Sequence, residues 1–214
     1  TLEHSIQYTK PENKELDMIF NFHHLKVDYP EGEKWALAPV DFAKLKALFN
    51  TWQTGMQAEN GWNALFLSNH DQPRAISRFV NPTNYHYQGA TMLAVMLHGM
   101  QGTPYIYQGE EIGMLNPAFS TIEEYRDIES LNYYAILQQR GYSKSETLEI
   151  LRAKSRDNAR TPMQWNTQRN AGFSKGNPWI KSGKTAETIN VAVDLETEPS
   201  IYHFYRLFSA LINF

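Results

Sequence analysis

The sequence predicts an α/β fold built on a parallel β-sheet. Short apolar segments alternate with helical patterns over residues 16–111, which gives three strand–loop–helix units. Strands and helices that alternate in this way form parallel sheets joined by right-handed crossovers. The 214 residues are enough for one sizeable domain or for a large piece of a bigger one.

The first unit follows a helix-like segment at residues 1–10. Its strand candidate is residues 16–22, and a polar loop comes next. A helix is then expected to begin at Pro39, because proline suits the first turn of a helix. Apolar side chains recur beyond it at helical spacing and predict the buried face: Leu45, Leu48, Phe49, Trp52 and Met56.

The second and third units repeat the pattern. Residues 64–67 form an apolar strand candidate, and a loop is expected as far as Pro82. The next helix, residues 87–100, is apolar nearly all round, which predicts packing on several sides. Residues 102–107 are the third strand candidate.

The regular alternation ends after Glu111. Helices are expected at residues 122–140 and 145–153, followed by a long irregular segment at 156–199. A loop of this length in a compact domain is usually functional. Ser200 is a suitable N-cap for a last amphipathic helix.

The most informative motif is Asn-His-Asp-Gln at residues 69–72. It follows an apolar strand that is expected to be buried on both faces, and Pro73 marks a turn. The carboxyl ends of strands carry the chemistry in α/β barrels, so His70 and Asp71 are candidate catalytic residues. The alternative is a polar turn whose side chains bond only to the backbone.

Composition argues against several classes of function. The net charge of -3 and the pI of about 6.2 provide no basic field for nucleic acid or for an anionic membrane. No apolar run approaches the roughly 20 residues of a membrane span. The absence of cysteine excludes disulfides and thiolate chemistry and is compatible with a reducing compartment. Aromatic residues make up 13% of the chain, which suits both sugar-binding clefts and well-packed cores.

Several motifs resemble the α-glucosidase branch of the α-amylase superfamily, glycoside hydrolase family thirteen. Phe-Leu-Ser-Asn-His-Asp-Gln-Pro-Arg at 66–74 resembles the fourth signature region of that family. Further segments resemble the same branch and cover nearly the whole chain in the family's order: 102–114, 124–132, 156–165, Asn-Ala-Gly-Phe at 170–173 and Pro-Trp at 178–179.

This resemblance implies a partial (β/α)8 barrel, in which the three strand candidates are strands six, seven and eight. Members of the family cleave α-glucosidic bonds with retention, using a nucleophile and an acid/base carboxylate about 5 Å apart. Asp71 matches the family's third carboxylate, which stabilises the transition state, and His70 matches an imidazole that bonds the same sugar. Neither a metal nor another cofactor is implied.

The sequence also departs from the family pattern. The nucleophile motif Asp-Gly-Phe-Arg-Leu-Asp is missing, and strands one to five, the inserted domain and the C-terminal β-sandwich have no counterpart. Residues 1–214 are therefore expected to be the C-terminal half of a catalytic barrel and to be inactive alone. Because a half barrel leaves strand edges and helix faces uncovered, either self-association or a disordered rim is expected of the isolated piece.

The segment after the first strand narrows the substrate class. Phe-His-His-Leu-Lys-Val-Asp-Tyr at 22–29 is similar to the corresponding segment of trehalose-6-phosphate hydrolases, which release glucose and glucose 6-phosphate. A phosphorylated sugar needs a cation, so Lys26 and Lys34 are candidate substrate-binding residues. The alternative for both is a solvated surface position. The implied substrate is a small sugar or sugar phosphate, and the expected location is cytoplasmic.

Two other charged residues have counterparts in the family. Arg156 matches an arginine near the glucosyl subsite, and Glu129 matches an acidic residue of the leaving-group subsite. Salt bridges within the irregular segment are the alternative for both. Arg160, Arg126 and Arg74 are expected to be mainly structural.

Two other functions stay open. The first is an oligo-1,6-glucosidase or a glucosyl-transferring isomerase of the same superfamily, which acts on an unphosphorylated sugar. The second is a non-catalytic barrel of the transporter-associated kind. Such barrels tend to lose residues of the catalytic set, so the presence of His70, Asp71 and Arg156 together favours an enzyme.

Overall fold

The expected parallel sheet is present, and its strands are short. In the computed structural model, which describes residues 1–212, strand β1 is Ile19–Phe20, β2 is Asn63–Leu65 and β3 is Thr103–Pro104. They pair in the order β1-β2-β3, and both pairs are parallel. This confirms the α/β class and the positions of the three strands.

Helices α1, Leu2–Thr9, and α2, Phe42–Ala58, lie on either side of β1 in the chain. Helix α2 begins three residues after Pro39, because Asp41 is its N-cap and accepts a hydrogen bond from the Lys44 N–H at 2.8 Å. The start predicted at Pro39 is therefore wrong. The predicted apolar face is confirmed by the buried Leu45, Trp52 and Met56 and the partly buried Leu48 and Phe49.

Helices α3, Ala75–Phe79, and α4, Pro82–His98, connect β2 to β3. Helix α3 occupies a segment predicted as loop, because five residues are too few to show a helical period. Asn81 caps α4 by accepting hydrogen bonds from the N–H groups of its first turn, so the helix begins five residues earlier than expected. Helix α4 packs against α3, α8 and β3, which agrees with the expected packing on several sides, although Met92 and Val95 are exposed.

The remaining helices are α5, Ile128–Gln139, α6, Lys144–Lys154, α7, Val191–Glu196, and α8, Ile201–Ile212. Ser200 caps α8 as predicted, since its Oγ accepts a hydrogen bond from the His203 N–H at 3.0 Å. Helix α8 packs on α4 and completes the core above the sheet. Within residues 1–212, no helix is long and apolar enough to cross a bilayer.

The other face of the sheet carries exposed aromatic side chains. Phe20 is 45% exposed and Tyr105 is 44% exposed, although the Phe20 ring packs edge-on against both the buried Phe66 and Tyr105. Together with Phe22 and Ile106 they line a cavity of about 340 Å³. This apolar surface lies at the end of the strands from which the Asn69–Gln72 motif emerges.

Candidate active site

His70 and Asp71 lie together in a turn that follows β2. The Asn69 side chain accepts a hydrogen bond from the Asp71 N–H at 2.8 Å, which fixes the turn locally. His70 Nε2 lies 3.4 Å from Asp71 Oδ2, and both side chains are partly open to solvent. The predicted pair is thus adjacent and accessible.

Two arginines from the irregular segment meet the Asp71 carboxylate. Arg160 Nη2 donates to Asp71 Oδ1 at 2.8 Å, and Arg156 Nη1 lies 3.6 Å from the same oxygen. Arg160 Nε also donates to the His70 carbonyl oxygen at 2.8 Å. Residues Arg156–Ala159 form a 3-10 turn, which brings both guanidinium groups to one side. Arg160 therefore contacts both predicted catalytic residues directly, which the mainly structural role expected for it did not include.

Asp127 links the same two arginines and was missed by the sequence analysis. Its Oδ1 accepts from Arg156 Nη2 at 2.6 Å and lies 3.5 Å from Arg160 Nη1. Burial alone raises the pKa of Asp127, but hydrogen bonds from Arg156 and Ser130 outweigh burial and bring the pKa below its usual value. The available signal was its position as N-cap of α5, which places a carboxylate at the start of a helix.

Glu129 extends the charge network to the loop that follows β1. Its Oε2 accepts from Lys34 Nζ at 2.7 Å and lies 3.3 Å from Arg156 Nε, while Trp35 Nε1 donates to its Oε1 at 3.3 Å. Trp35 is buried and stacks on Tyr133 with ring centroids 4.8 Å apart. Glu129 therefore compensates the charge of Lys34, whose ammonium also lies 4.8 Å from the centre of the Trp35 ring.

Lys26 lies apart from this network. It ends a 3-10 turn, His23–Lys26, that directly follows β1, and its side chain is exposed. It forms no ion pair with any described residue. Lys26 is thus a separate cation. The structure joins the other five of the six predicted site residues into one network: Asp71, His70, Arg156, Glu129 and Lys34.

Comparison with known proteins shows the family of the chain. The family model "Alpha amylase, catalytic domain" matches residues 1–213. The chain belongs to the α-amylase catalytic-domain family. Its match to that family covers almost the whole sequence, which confirms the resemblance inferred from the motifs.

Trehalose-6-phosphate hydrolases are among the most similar α-amylase family members. Those of Escherichia coli strain K12 and Bacillus subtilis strain 168 are 56% and 55% identical, over 99% and 96% of this chain. An oligo-1,6-glucosidase of Parageobacillus thermoglucosidasius is 48% identical over 96% of the chain. The crystal structure of Bacillus licheniformis trehalose-6-phosphate hydrolase superposes with a TM-score of 0.97 at 54% identity, over 99% of the chain. The chain spans 37% to 38% of the length of these proteins.

In this α-amylase family chain, the loop after β3 supports the arginine turn. The Tyr107 hydroxyl donates to the Ala159 carbonyl oxygen at 3.0 Å. Arg74 is buried, donates to the Gln108 carbonyl oxygen at 2.5 Å and lies over the Tyr107 ring at 5.4 Å. These contacts agree with the structural role expected for Arg74. They connect the ends of β2 and β3 to the turn that carries the two site arginines.

Glu110 and Glu111 lie in a 3-10 turn beyond this loop, where their side chains bond to neighbouring backbone. Glu110 Oε2 accepts from the Tyr107 N–H at 2.9 Å, and Glu111 Oε2 accepts from the Gly109 N–H at 2.7 Å. Burial raises the pKa of Glu110 to about 8, only partly opposed by the Tyr107 N–H. Neither carboxyl group forms an ion pair with the described part of the Asp71 network.

The network suits binding and charge stabilisation in the family's chemistry. Guanidinium groups compensate Asp71, Asp127 and Glu129, so three carboxylates are held in fixed positions as hydrogen-bond acceptors. Sugar hydroxyls are donors that such acceptors bind. Asp71 Oδ2 faces His70 and solvent rather than an arginine, which leaves one oxygen accessible to a substrate.

Proposed function

We propose that this chain is part of the catalytic barrel of a retaining α-glucosidase that hydrolyses trehalose 6-phosphate. In that reaction the glycosidic C1–O bond breaks, water supplies the oxygen to C1, and the leaving oxygen of glucose 6-phosphate takes a proton. The observation that carries the proposal is the accessible Asp71–His70 pair, held by Arg160 and Arg156 where β2 ends. The higher identity to trehalose-6-phosphate hydrolases than to the oligo-1,6-glucosidase supports the phosphorylated substrate.

Each site residue has a distinct part in this proposal. Asp71 accepts hydrogen bonds from the glucosyl hydroxyls and stabilises the positive charge that develops in the transition state. His70 bonds the same sugar, and Arg156 orients both Asp71 and the glucosyl unit. Glu129 and Lys34 border the leaving-group side, because their ion pair lies beyond Arg156.

Lys26 is the cation that we assign to the phosphate. Lys34 already compensates Glu129 at 2.7 Å, whereas Lys26 is exposed and forms no ion pair with a described residue. Ammonium groups bind phosphate as point charges. A substrate of this charge does not cross a bilayer unaided, which supports a cytoplasmic location.

The nucleophile and the acid/base are proposed to lie outside these 214 residues. The chain spans less than two fifths of the length of its relatives, and the arginine-paired carboxylates Asp127 and Glu129 suit binding better than proton transfer. The chain alone is therefore proposed to be inactive. Activity is tested in the whole polypeptide, meaning the longer protein of which this chain would be a part.

The decisive experiment is the charge reversal Lys26→Glu in the whole polypeptide. We expect kcat/KM for trehalose 6-phosphate to fall by about 10-fold or more, because a lost charge-assisted hydrogen bond costs about 1.5 to 3 kcal/mol. Hydrolysis of p-nitrophenyl α-glucoside, which has no phosphate, should change less than 2-fold. Lys46→Glu, at an exposed position of α2, is the matched control and should alter neither substrate.

The runner-up is an oligo-1,6-glucosidase, and the Lys34–Glu129 ion pair favours it. That pair presents little net charge to the leaving group, as a neutral sugar requires. Equal losses on both substrates after Lys26→Glu, or faster turnover of isomaltose than of trehalose 6-phosphate by the unmodified enzyme, would contradict the phosphate assignment.

A further inference from the structure

A buried arginine of α3 connects the two loops that carry the proposed substrate contacts. Arg78 Nη1 donates to Gln72 Oε1 at 2.9 Å, next to Asp71 in the chain. Its Nη2 donates to the Leu25 carbonyl oxygen, next to Lys26. One side chain therefore bonds immediately beside the proposed glucosyl contact and immediately beside the proposed phosphate contact.

The same arginine belongs to a buried charge cluster. Arg78 Nε donates to Asp28 Oδ2 at 3.1 Å, and Lys154 Nζ donates to Asp28 Oδ2 at 2.8 Å and to the Asp28 carbonyl oxygen at 2.9 Å. The Arg78 and Lys154 side chains are each 4% exposed and that of Asp28 is 7% exposed. Removing one partner from such a cluster leaves an uncompensated buried charge, which is strongly destabilising. Lys154 also ends α6, two residues before Arg156.

Aromatic and backbone contacts complete the enclosure of the cluster. The Lys154 ammonium lies 5.2 Å from the centre of the Tyr29 ring, and the Arg78 guanidinium lies 5.7 Å from it. His24 Nε2 lies 2.8 Å from the Phe66 carbonyl oxygen, which fixes the start of the same loop against the end of β2. Around Lys26, the residues 24, 25, 27 and 28 are all buried. Within residues 24–28, only Lys26 is exposed.

We propose that Arg78 is a positioning residue that sets the distance between Lys26 and Asp71 and thereby contributes to selection of a phosphorylated sugar. The inference rests on the proposed function, because it assigns Lys26 to the phosphate. A ligand that bridges the two contacts gains affinity only if both are held at the matching separation. Arg78 suits this task since its planar fork bonds to both loops at once, which a lysine does not do.

The test is a double-mutant cycle in the whole polypeptide, with Arg78→Lys and Lys26→Met. Arg78→Lys keeps the buried positive charge, but a single ammonium cannot replace all the guanidinium bonds to Gln72, Leu25 and Asp28. We expect kcat/KM for trehalose 6-phosphate to fall at least 5-fold, and that for p-nitrophenyl α-glucoside less than 2-fold. In the Lys26→Met background, Arg78→Lys should change turnover of trehalose 6-phosphate less than 2-fold, because the contact that it positions is already lost. Arg140→Lys, at an exposed arginine paired with Glu33 at 3.4 Å, is the control and should leave both substrates unaffected.

Gln72→Met provides a second variant if Arg78→Lys lowers the yield of folded protein. It removes the acceptor of Arg78 Nη1 while keeping side-chain length and leaving the cluster with Asp28 intact, and we expect the same selective loss.

Equal losses on both substrates, or full effects of Arg78→Lys in the Lys26→Met background, would show that Arg78 is only structural. If Lys26→Met alone leaves selectivity unchanged, the phosphate assignment fails, and the inference fails with it. If Lys26→Met is selective but the cycle is additive, only the inference fails.

Discussion

Replacing Glu110 by glutamine should change the pH dependence of stability in a defined direction. Glu110 is buried beside β3, and its Oε1 has no hydrogen-bond partner among the described residues. Burial raises its pKa from 4.5 to about 8. An amide of the same shape stays neutral at every pH and still accepts the hydrogen bond from the Tyr107 N–H.

The direction and the size of this pH effect follow from the difference in proton affinity of Glu110 between the folded and the unfolded chain. The folded chain binds the Glu110 proton more tightly than the unfolded chain, so this group stabilises the fold fully below pH 4.5, and the contribution is lost as pH rises to about 8. The loss approaches about 1.4 kcal/mol per pH unit within that window. Between pH 6 and pH 8 it amounts to about 2 kcal/mol.

The assay is urea unfolding of the unmodified chain and of Glu110→Gln at several pH values from 6 to 9 and at one protein concentration. The difference in unfolding free energy between the two should grow by about 2 kcal/mol in favour of Glu110→Gln from pH 6 to pH 8. Glu149→Gln, at an exposed position of α6, should show no such change. Parallel pH profiles for Glu110→Gln and the unmodified chain would refute the buried, protonated carboxyl group.

Two other predictions concern the site and the exposed sheet face. Arg160→Lys in the whole polypeptide should lower kcat/KM about 10-fold or more for both trehalose 6-phosphate and p-nitrophenyl α-glucoside, because one ammonium cannot replace bonds to both Asp71 and His70. A change below 2-fold would contradict a role of Arg160 in the site. The isolated chain should self-associate in light scattering through the face around Phe20, and Ile106→Asp, which places a charge there, should reduce association. A monodisperse monomer of the unmodified chain would count against the half-barrel interpretation.

Much of the architecture was predictable because its signals are local. The spacing of apolar residues identified the strands around Phe20 and Ala64 and the buried face of α2. The first residues of the helices were harder to predict, because several neighbouring residues can serve as the N-cap. The N-cap Asp41, rather than Pro39, sets the start of α2. Its carboxylate accepts a hydrogen bond from a free N–H group of the first turn, whereas proline only lacks an N–H group of its own.

The charge network was predictable only in part. Resemblance to the family identified Asp71, Arg156 and Glu129, but the direct contact of Arg160 with Asp71 was not expected. Nothing in the order of residues distinguishes an arginine that bonds to backbone from one that bonds to a site carboxylate. That choice depends on how the 3-10 turn at 156–159 meets the end of β2.

The sequence by itself determined the α/β class, the family and the place of the Asn-His-Asp-Gln motif at the end of a strand. Those conclusions depend on patterns within short windows. The tertiary structure alone decided which of two similar lysines is paired, since Lys34 meets Glu129, 95 residues away, while Lys26 stays exposed. It also brought Arg78, Asp28 and Lys154 together from three separate segments. Charges select their partners through space, because their energies depend on distance and burial rather than on separation in the chain.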